Sequence, residues 1–203
     1  MLLEVESSQL VLVDYQQKLM PAMKDAEAVW HRAEVLAKTA KLLSVPVWAT
    51  EQNPSGLGEI SPEIRQHCNR VLAKMAFSAV EEGLGEWLSP PTPAVPKGNA
   101  RSLPRHLQKP VEPESGPSVL IAGCEAHVCL LQTALDLLED DFEVWVVTDA
   151  CASRHDRDRD AAFDRLAGAG AELLTTEIVL FEWLRSAENP DFKQVQGWIK
   201  SLI

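Results

Sequence analysis

A carboxylate, an ammonium and a thiol stand in this sequence where predicted strands run out: Asp14, Lys74 and Cys129. A thiol nucleophile needs a base to take its proton and a positive group to hold the thiolate, and Asp14 and Lys74 can supply the two. That the three meet is an inference from strand ends sharing one edge of a sheet, where open α/β sheets gather their ligands. Cys129 also falls near the first turn of a helix that follows the apolar run 119–122. Free N–H groups and the helix dipole favour an anion there, so the thiol is predicted to ionise more easily than a free one. The stretch alone fits a small buried apolar cysteine equally well. Asp14 likewise fits a loop or cap aspartate, and its place after a fully apolar strand tips the reading toward chemistry.

The elements that must position these residues follow from hydrophobic pattern. Residues 9–14 read as a short buried strand ending on Asp14, and residues 26–43 as an amphipathic helix with Val29, Ala33, Leu36, Ala40 and Leu43 on one stripe. Residues 46–50 are a second strand with Glu51 and Gln52 just past its end, followed by a turn-forming loop at 53–58. Pro62 opens a short helix, 71–73 a third strand ending at Lys74, and 81–88 another short helix. The central strand at 119–122 precedes a helix carrying Leu130, Ala134 and Leu138 on one face. A fifth strand at 143–147 leads to a helix starting at 157–160, with Ala161, Leu166 and Ala169 on its buried side and Gly170 as its stop. Residues 172–175 give a sixth strand, and 177–184 and 191–202 two helical segments. Strands and helices alternate, which predicts a three-layer α/β/α architecture around a six-stranded, mainly parallel sheet. The chain reads as one domain over 1–203 with a Pro-rich insert at about 89–117, where apolar periodicity vanishes and Lys97, Arg101, Arg105 and Lys109 bring positive charge.

Composition narrows the function classes. Hydrophobic residues make up 46% and charged residues 24% of 203 residues, the balance of a soluble globular protein with one core. A formal charge of −11 argues against nucleic-acid binding and against anionic membrane surfaces. Cys68, Cys124, Cys129 and Cys151 show neither zinc spacing nor a secreted disulfide framework. With no cleavable signal and no apolar run long enough to span a bilayer, the expectation is a reduced, cytoplasmic protein. Cys124 and Cys151 are expected to be buried and inert, and the spacing of Cys124 and Cys129 disfavours a C-x-x-C redox site.

Several stretches together closely resemble the isochorismatase-like cysteine hydrolase superfamily. They are Leu-Val-Asp14-Tyr-Gln16, Thr50-Glu51-Gln52, Lys74-Met-Ala-Phe77-Ser78, Gly123-Cys-Glu-Ala-His-Val-Cys129 with Gln132-Thr133-Ala134, and Asp149-Ala-Cys-Ala-Ser-Arg154. The resemblance covers almost all of the chain outside the Pro-rich insert. Thr175-Thr-Glu-Ile-Val-Leu-Phe181 looks most like the isochorismatase domain-containing subgroup. The resemblance implies an Asp14–Lys74–Cys129 triad, with Cys129 attacking a carbonyl carbon and Asp14 moving the proton. It implies an oxyanion hole from the backbone N–H groups of Glu125 and Cys129, with a non-proline cis peptide at Cys124–Glu125. It also implies a small-molecule substrate and a homo-oligomer of two or more copies. Gln16, Trp48, Gln52, Phe77 and His127 flank the strand ends and are candidate substrate-binding residues. Nicotinamidases of this superfamily commonly carry an Asp-x-His…His metal site after the second strand. Gln52-Asn-Pro-Ser-Gly stands there instead, so neither a metal nor another cofactor is expected.

The leading expectation is therefore a cofactor-free hydrolase cleaving a small amide or related acyl substrate through Cys129. The alternatives are an isochorismatase-type ether hydrolase relying on Asp14, and a catalytically weak scaffold that keeps the fold and binds a partner.

Overall fold

A strand covered on both faces needs no polar side, and the central strands of this protein have none. In a computed structural model describing residues 2–89 and 118–202, β4 (Ser118–Gly123) is buried at every position and β1 (Ser8–Val13) at all but Gln9. They lie side by side at the centre of a six-stranded parallel sheet ordered β3-β2-β1-β4-β5-β6. The outer strands β3 (Arg70–Lys74) and β6 (Glu172–Leu174) are largely exposed, which is why their sequences are mixed. β2 (Val47–Gln52) and β5 (Glu143–Val147) fill the places between. Each leucine or valine buried this fully contributes about 1.5–3 kcal/mol, so the β1–β4 seam carries a large share of the core.

Helices cover both faces. The long helix α1 (Ala26–Leu42) packs with α7 (Thr176–Leu184) and α8 (Phe192–Lys200), while α5 (Leu131–Glu139) packs with α6 (Asp156–Ala169). Three short helices, α2 (Pro54–Leu57), α3 (Pro62–Arg65) and α4 (Leu84–Leu88), lie between β2 and β4 in the chain. Local chemistry sets their ends. Ser61 caps α3 with Pro62 in its first turn, Thr175 caps α7, and Gly170 at φ 105° closes α6. The three-layer architecture predicted from alternation is the one observed, and every strand pair is parallel.

Some local expectations require correction. β2 runs through Gln52, because Glu51 and Gln52 pair with Ala73 and Lys74 of β3. The helix expected over 81–88 is split by Gly83 at φ 94° into a 3-10 turn and α4. In α6, Ala162 and Leu166 face the core while Ala161 and Ala169 are exposed. The buried pair is spaced i, i+4, so a phase set one residue early points its alanine outward. The proposed insert, apart from Ser89, lies outside the described residues.

Candidate active site

A strand order of 3-2-1-4-5-6 reverses direction between its first and fourth strands, and a crevice opens at the carboxyl ends of those two. The sequence supplies Asp14 directly after β1 and the segment Cys124–Cys129 directly after β4. The two strands come unusually close there. A Cβ on Gly123 would lie 2.3 Å from the Val13 carbonyl oxygen, so only glycine fits the end of β4. The next amide, Cys124 N–H, donates to that same carbonyl at 3.0 Å.

Asp14 leaves β1 in the left-handed region, at φ 55°, and is fully buried. Its carboxylate is held at both oxygens. Thr50 Oγ1 donates to Oδ1 at 2.7 Å, and Lys74 Nζ donates to Oδ2 at 2.9 Å. Lys74 reaches it from β3, two strands away and therefore about 10 Å off at the usual strand spacing. The four-carbon stem crosses the end of β2, which explains why a lysine serves this position. Both side chains of this pair are 0% exposed. Removing either partner would strand a buried charge, at a cost of about 3–5 kcal/mol.

The ammonium has more acceptors than protons. Besides Asp14, Lys74 Nζ meets Gln52 Oε1 at 2.6 Å, the Phe77 carbonyl at 3.1 Å and the Ala76 carbonyl at 3.4 Å. Gln52 lies between β1 and β3, and its Oε1 is also 3.8 Å from Cys129 Sγ. Its Nε2 donates to the Met75 carbonyl at 2.8 Å, which fixes the oxygen toward the lysine.

Cys129 lies in a π-turn, Ala126–Leu130, that precedes α5. The residue is 5% exposed, and both Asp14 and Lys74 are close enough to act on its thiol. Here the expectation of an easily ionised thiol is corrected. Burial, reinforced by the Asp14 carboxylate and opposed by the Lys74 ammonium, pushes the Cys129 thiol up to about 12. Proximity to a helix start does not offset the loss of water around the sulfur. Cys124 and Cys151 are buried as expected, and burial raises both thiols too, that of Cys151 to about 12.

The Cys124–Glu125 peptide is cis. Among the described residues the Glu125 N–H meets no acceptor. The Glu125 carbonyl accepts from Val128 N–H and Leu130 N–H and passes over that of Cys129, which lies between them. The Glu125 side chain is turned away, pairing with Arg154 at 2.9 Å. Ala126 N–H donates to Ala152 O at 2.8 Å, tying this turn to the segment after β5.

The candidate substrate-binding residues separate. Gln52 is in the cluster. Phe77 lies three residues beyond Lys74, its side chain 52% exposed and its carbonyl on the ammonium. His127 is half-buried within the cysteine turn, with Nδ1 2.9 Å from Ser153 Oγ. Gln16 is corrected from substrate binder to brace. It is fully buried, its Oε1 accepts from Gln52 N–H at 2.9 Å, and its Nε2 donates to Gln52 O at 3.0 Å and to Gly58 O, leaving no group for a ligand. Trp48 is also corrected. It is the second residue of β2, near the amino end of the strand, where it donates to Gln9 Oε1 and packs tilted against Trp87, ring centroids 5.8 Å apart. Four residues of strand separate it from Gln52, about 13 Å. Sequence reasoning missed Thr50 as the second anchor of Asp14. The signal was its membership of Thr50-Glu51-Gln52, but only the Val13–Thr50 register brings it beside the carboxylate.

A hollow of about 310 Å³ beside Lys74 is lined by Asn53, Pro54, Ser55, Ala73, Met75 and Glu82 as well as the lysine. Two larger hollows, of about 740 and 450 Å³, are lined by none of Asp14, Lys74 and Cys129. Among the described residues no His, Cys, Asp and Glu cluster is arranged to hold a metal ion, and no helix is long and apolar enough to cross a membrane.

The comparison with known proteins gives the family and the fold. The family model described as Isochorismatase domain matches residues 103–178. Isochorismatase domain-containing protein 2A of Mus musculus is 38% identical over 199 residues, covering 98% of this chain and 85% of that protein. The chain belongs to the isochorismatase family. Isochorismatase domain-containing protein 2 of Homo sapiens is 38% identical over 197 residues, 96% of this chain and 83% of that protein. Among solved structures, MAR1 ribonuclease from Caenorhabditis elegans superposes with a TM-score of 0.81 at 30% identity, covering 98% of this chain and 93% of that one. The sheet and its flanking helices are thus the isochorismatase-type hydrolase fold, and the residues at the β1–β4 crevice are its candidate machinery.

Proposed function

We propose that this isochorismatase-family protein is a cysteine hydrolase that cleaves a small amide or related acyl substrate through a thioester on Cys129. One observation carries the reading: the buried Asp14–Lys74 pair, 2.9 Å apart, sits beside the cysteine at the switch point of the sheet. With the thiol held protonated, ionisation and attack belong to one event. Asp14 takes the Sγ proton as sulfur bonds to the carbonyl carbon, and the C=O π pair moves to oxygen. The Glu125 and Cys129 N–H groups receive that oxyanion, and each such donor is typically worth about a hundredfold or more in rate. The tetrahedral adduct collapses with cleavage of the C–N bond, and Asp14 returns its proton to the leaving amine. Water then adds to the thioester carbonyl and gives a proton to Asp14. As the C–S bond breaks, the acid is released and the proton returns to sulfur.

A second reading, ether hydrolysis through Asp14, is favoured by the same protonated, buried thiol, since it asks nothing of the sulfur. The C. elegans relative is named a ribonuclease, but a net charge of −11 weighs against RNA as the substrate here. A panel of small amides, ureides, esters and vinyl ethers, with an RNA oligonucleotide, separates the three when run on wild type and Cys129→Ala. The expected outcome is amide or ureide turnover that Cys129→Ala abolishes, with an acyl adduct on Cys129 by intact mass. Turnover surviving in Cys129→Ala would overturn the covalent mechanism.

A further inference from the structure

We infer that Gln52 is a positioning residue that holds Cys129 as a thiol, because its amide oxygen competes with the sulfur for the Lys74 ammonium and offers the S–H an acceptor. This rests on the hydrolase reading and adds a control on the same sulfur.

The argument is one of hydrogen-bond capacity. An ammonium has three donors. Asp14 Oδ2 at 2.9 Å, Gln52 Oε1 at 2.6 Å and the Phe77 carbonyl at 3.1 Å use all three, the Gln52 bond being the shortest. The sulfur of Cys129, which Lys74 is near enough to act on, must therefore compete with these oxygens for an ammonium proton. Gln52 Oε1 instead stands 3.8 Å from Sγ as an acceptor, which suits S–H and repels a thiolate. The amide cannot reverse its sense, because Nε2 is engaged by the Met75 carbonyl at 2.8 Å and a flip would set an NH₂ against the ammonium. The backbone of Gln52 is clamped too, by both ends of the Gln16 amide. A fully braced acceptor is therefore shared by the sulfur and its positive partner. Two carboxylates face this cluster: Asp14 directly, and Glu82, which accepts from Met75 N–H and Ala76 N–H. Both accept hydrogen bonds from other donors, Asp14 from Thr50 and Lys74 and Glu82 from the two amides. Cys129 is thereby kept from oxidants and stray electrophiles, which react with the thiolate, and it ionises only as Asp14 takes its proton during attack.

The test is the pH dependence of Cys129 alkylation by iodoacetamide, followed by intact mass and peptide mapping. Wild type is compared with Gln52→Met, which keeps the volume and removes the acceptor, and with Gln52→Glu, which keeps the acceptor and adds charge. Gln52→Met is expected to lower the midpoint by about one pH unit and to react about tenfold faster at neutral pH. Gln52→Glu is expected to raise the midpoint. Circular dichroism on both variants confirms the fold, and the opposite directions distinguish a control on ionisation from general loosening of the site, which would speed both. Midpoints unmoved in both variants, or a slower reaction in Gln52→Met, would overturn the inference. Amide turnover by wild type and Cys129→Ser is measured alongside. Turnover lost in Cys129→Ser with unmoved midpoints refutes only this role of Gln52, whereas shifted midpoints without any turnover refute only the hydrolase reading.

Discussion

At the scale of single residues, the site depends on how a buried carboxylate is satisfied. Asp14 has no water to solvate it, so its charge is held by Lys74 on one oxygen and by Thr50 on the other. Removing the hydroxyl without changing shape leaves one oxygen unpaired in the interior. Thr50→Val is therefore expected to lose about 1–3 kcal/mol of stability, measured by urea unfolding at neutral pH. A loss below a few tenths of a kcal/mol would mean that the hydroxyl is not an anchor. The residue types of this pair were legible in the sequence, since a lysine and an aspartate each closed an apolar strand. The Cys129 thiol was not. Its position near a helix start suggested easy ionisation, but the number of atoms packed around a sulfur is a property of the fold.

At the scale of elements, the crevice exists because β1 and β4 approach closely at their carboxyl ends and then diverge. Gly123 permits that approach, with Val13 O where its Cβ would be. Gly123→Ala must force the two strands apart. It is expected to cost about 1–3 kcal/mol or more in thermal unfolding, as overpacking of a tight core does. It should also abolish amide turnover, because Asp14 and the Cys124–Cys129 segment are carried by the two displaced strands. Unchanged turnover in a folded variant would show that the approach does not set the site. Element types were readable from periodicity, as β5 illustrates with its predicted and observed bounds coinciding. What periodicity could not give was the neighbour of each strand. Trp48 and Gln52 share β2, yet one packs on Trp87 and the other on the catalytic candidates, because they lie at opposite ends of it.

At the scale of the whole molecule, burial of thiols has a consequence for alkaline stability. Cys129 and Cys151 stand at about 12 in the folded protein, against about 8.5 for an exposed thiol. Above pH 8.5 the unfolded chain releases these protons and the folded one keeps them, so the unfolded state gains. Stability from each thiol is thus complete below about pH 8.5 and is lost as pH rises toward 12, at up to about 1.4 kcal/mol per pH unit. Fully buried Tyr15, also raised by burial, acts in the same direction at higher pH. Urea midpoints are expected to fall steadily above pH 9, and Cys151→Ala to show a shallower fall than wild type. Equal slopes for the two proteins would contradict the assignment.

The sequence by itself determined the alternation of strands and helices, the placing of Asp14 and Lys74 at strand ends, and the family. Each of these is encoded locally, in runs of apolar residues and in short motifs. Only the tertiary structure decided that Gln16 is a brace, that Trp48 belongs to the far end of the sheet, that Thr50 anchors the carboxylate and that the Cys129 proton is tightly held. Those properties depend on which side chains from distant segments share a small volume without water, and no stretch of sequence contains its own surroundings.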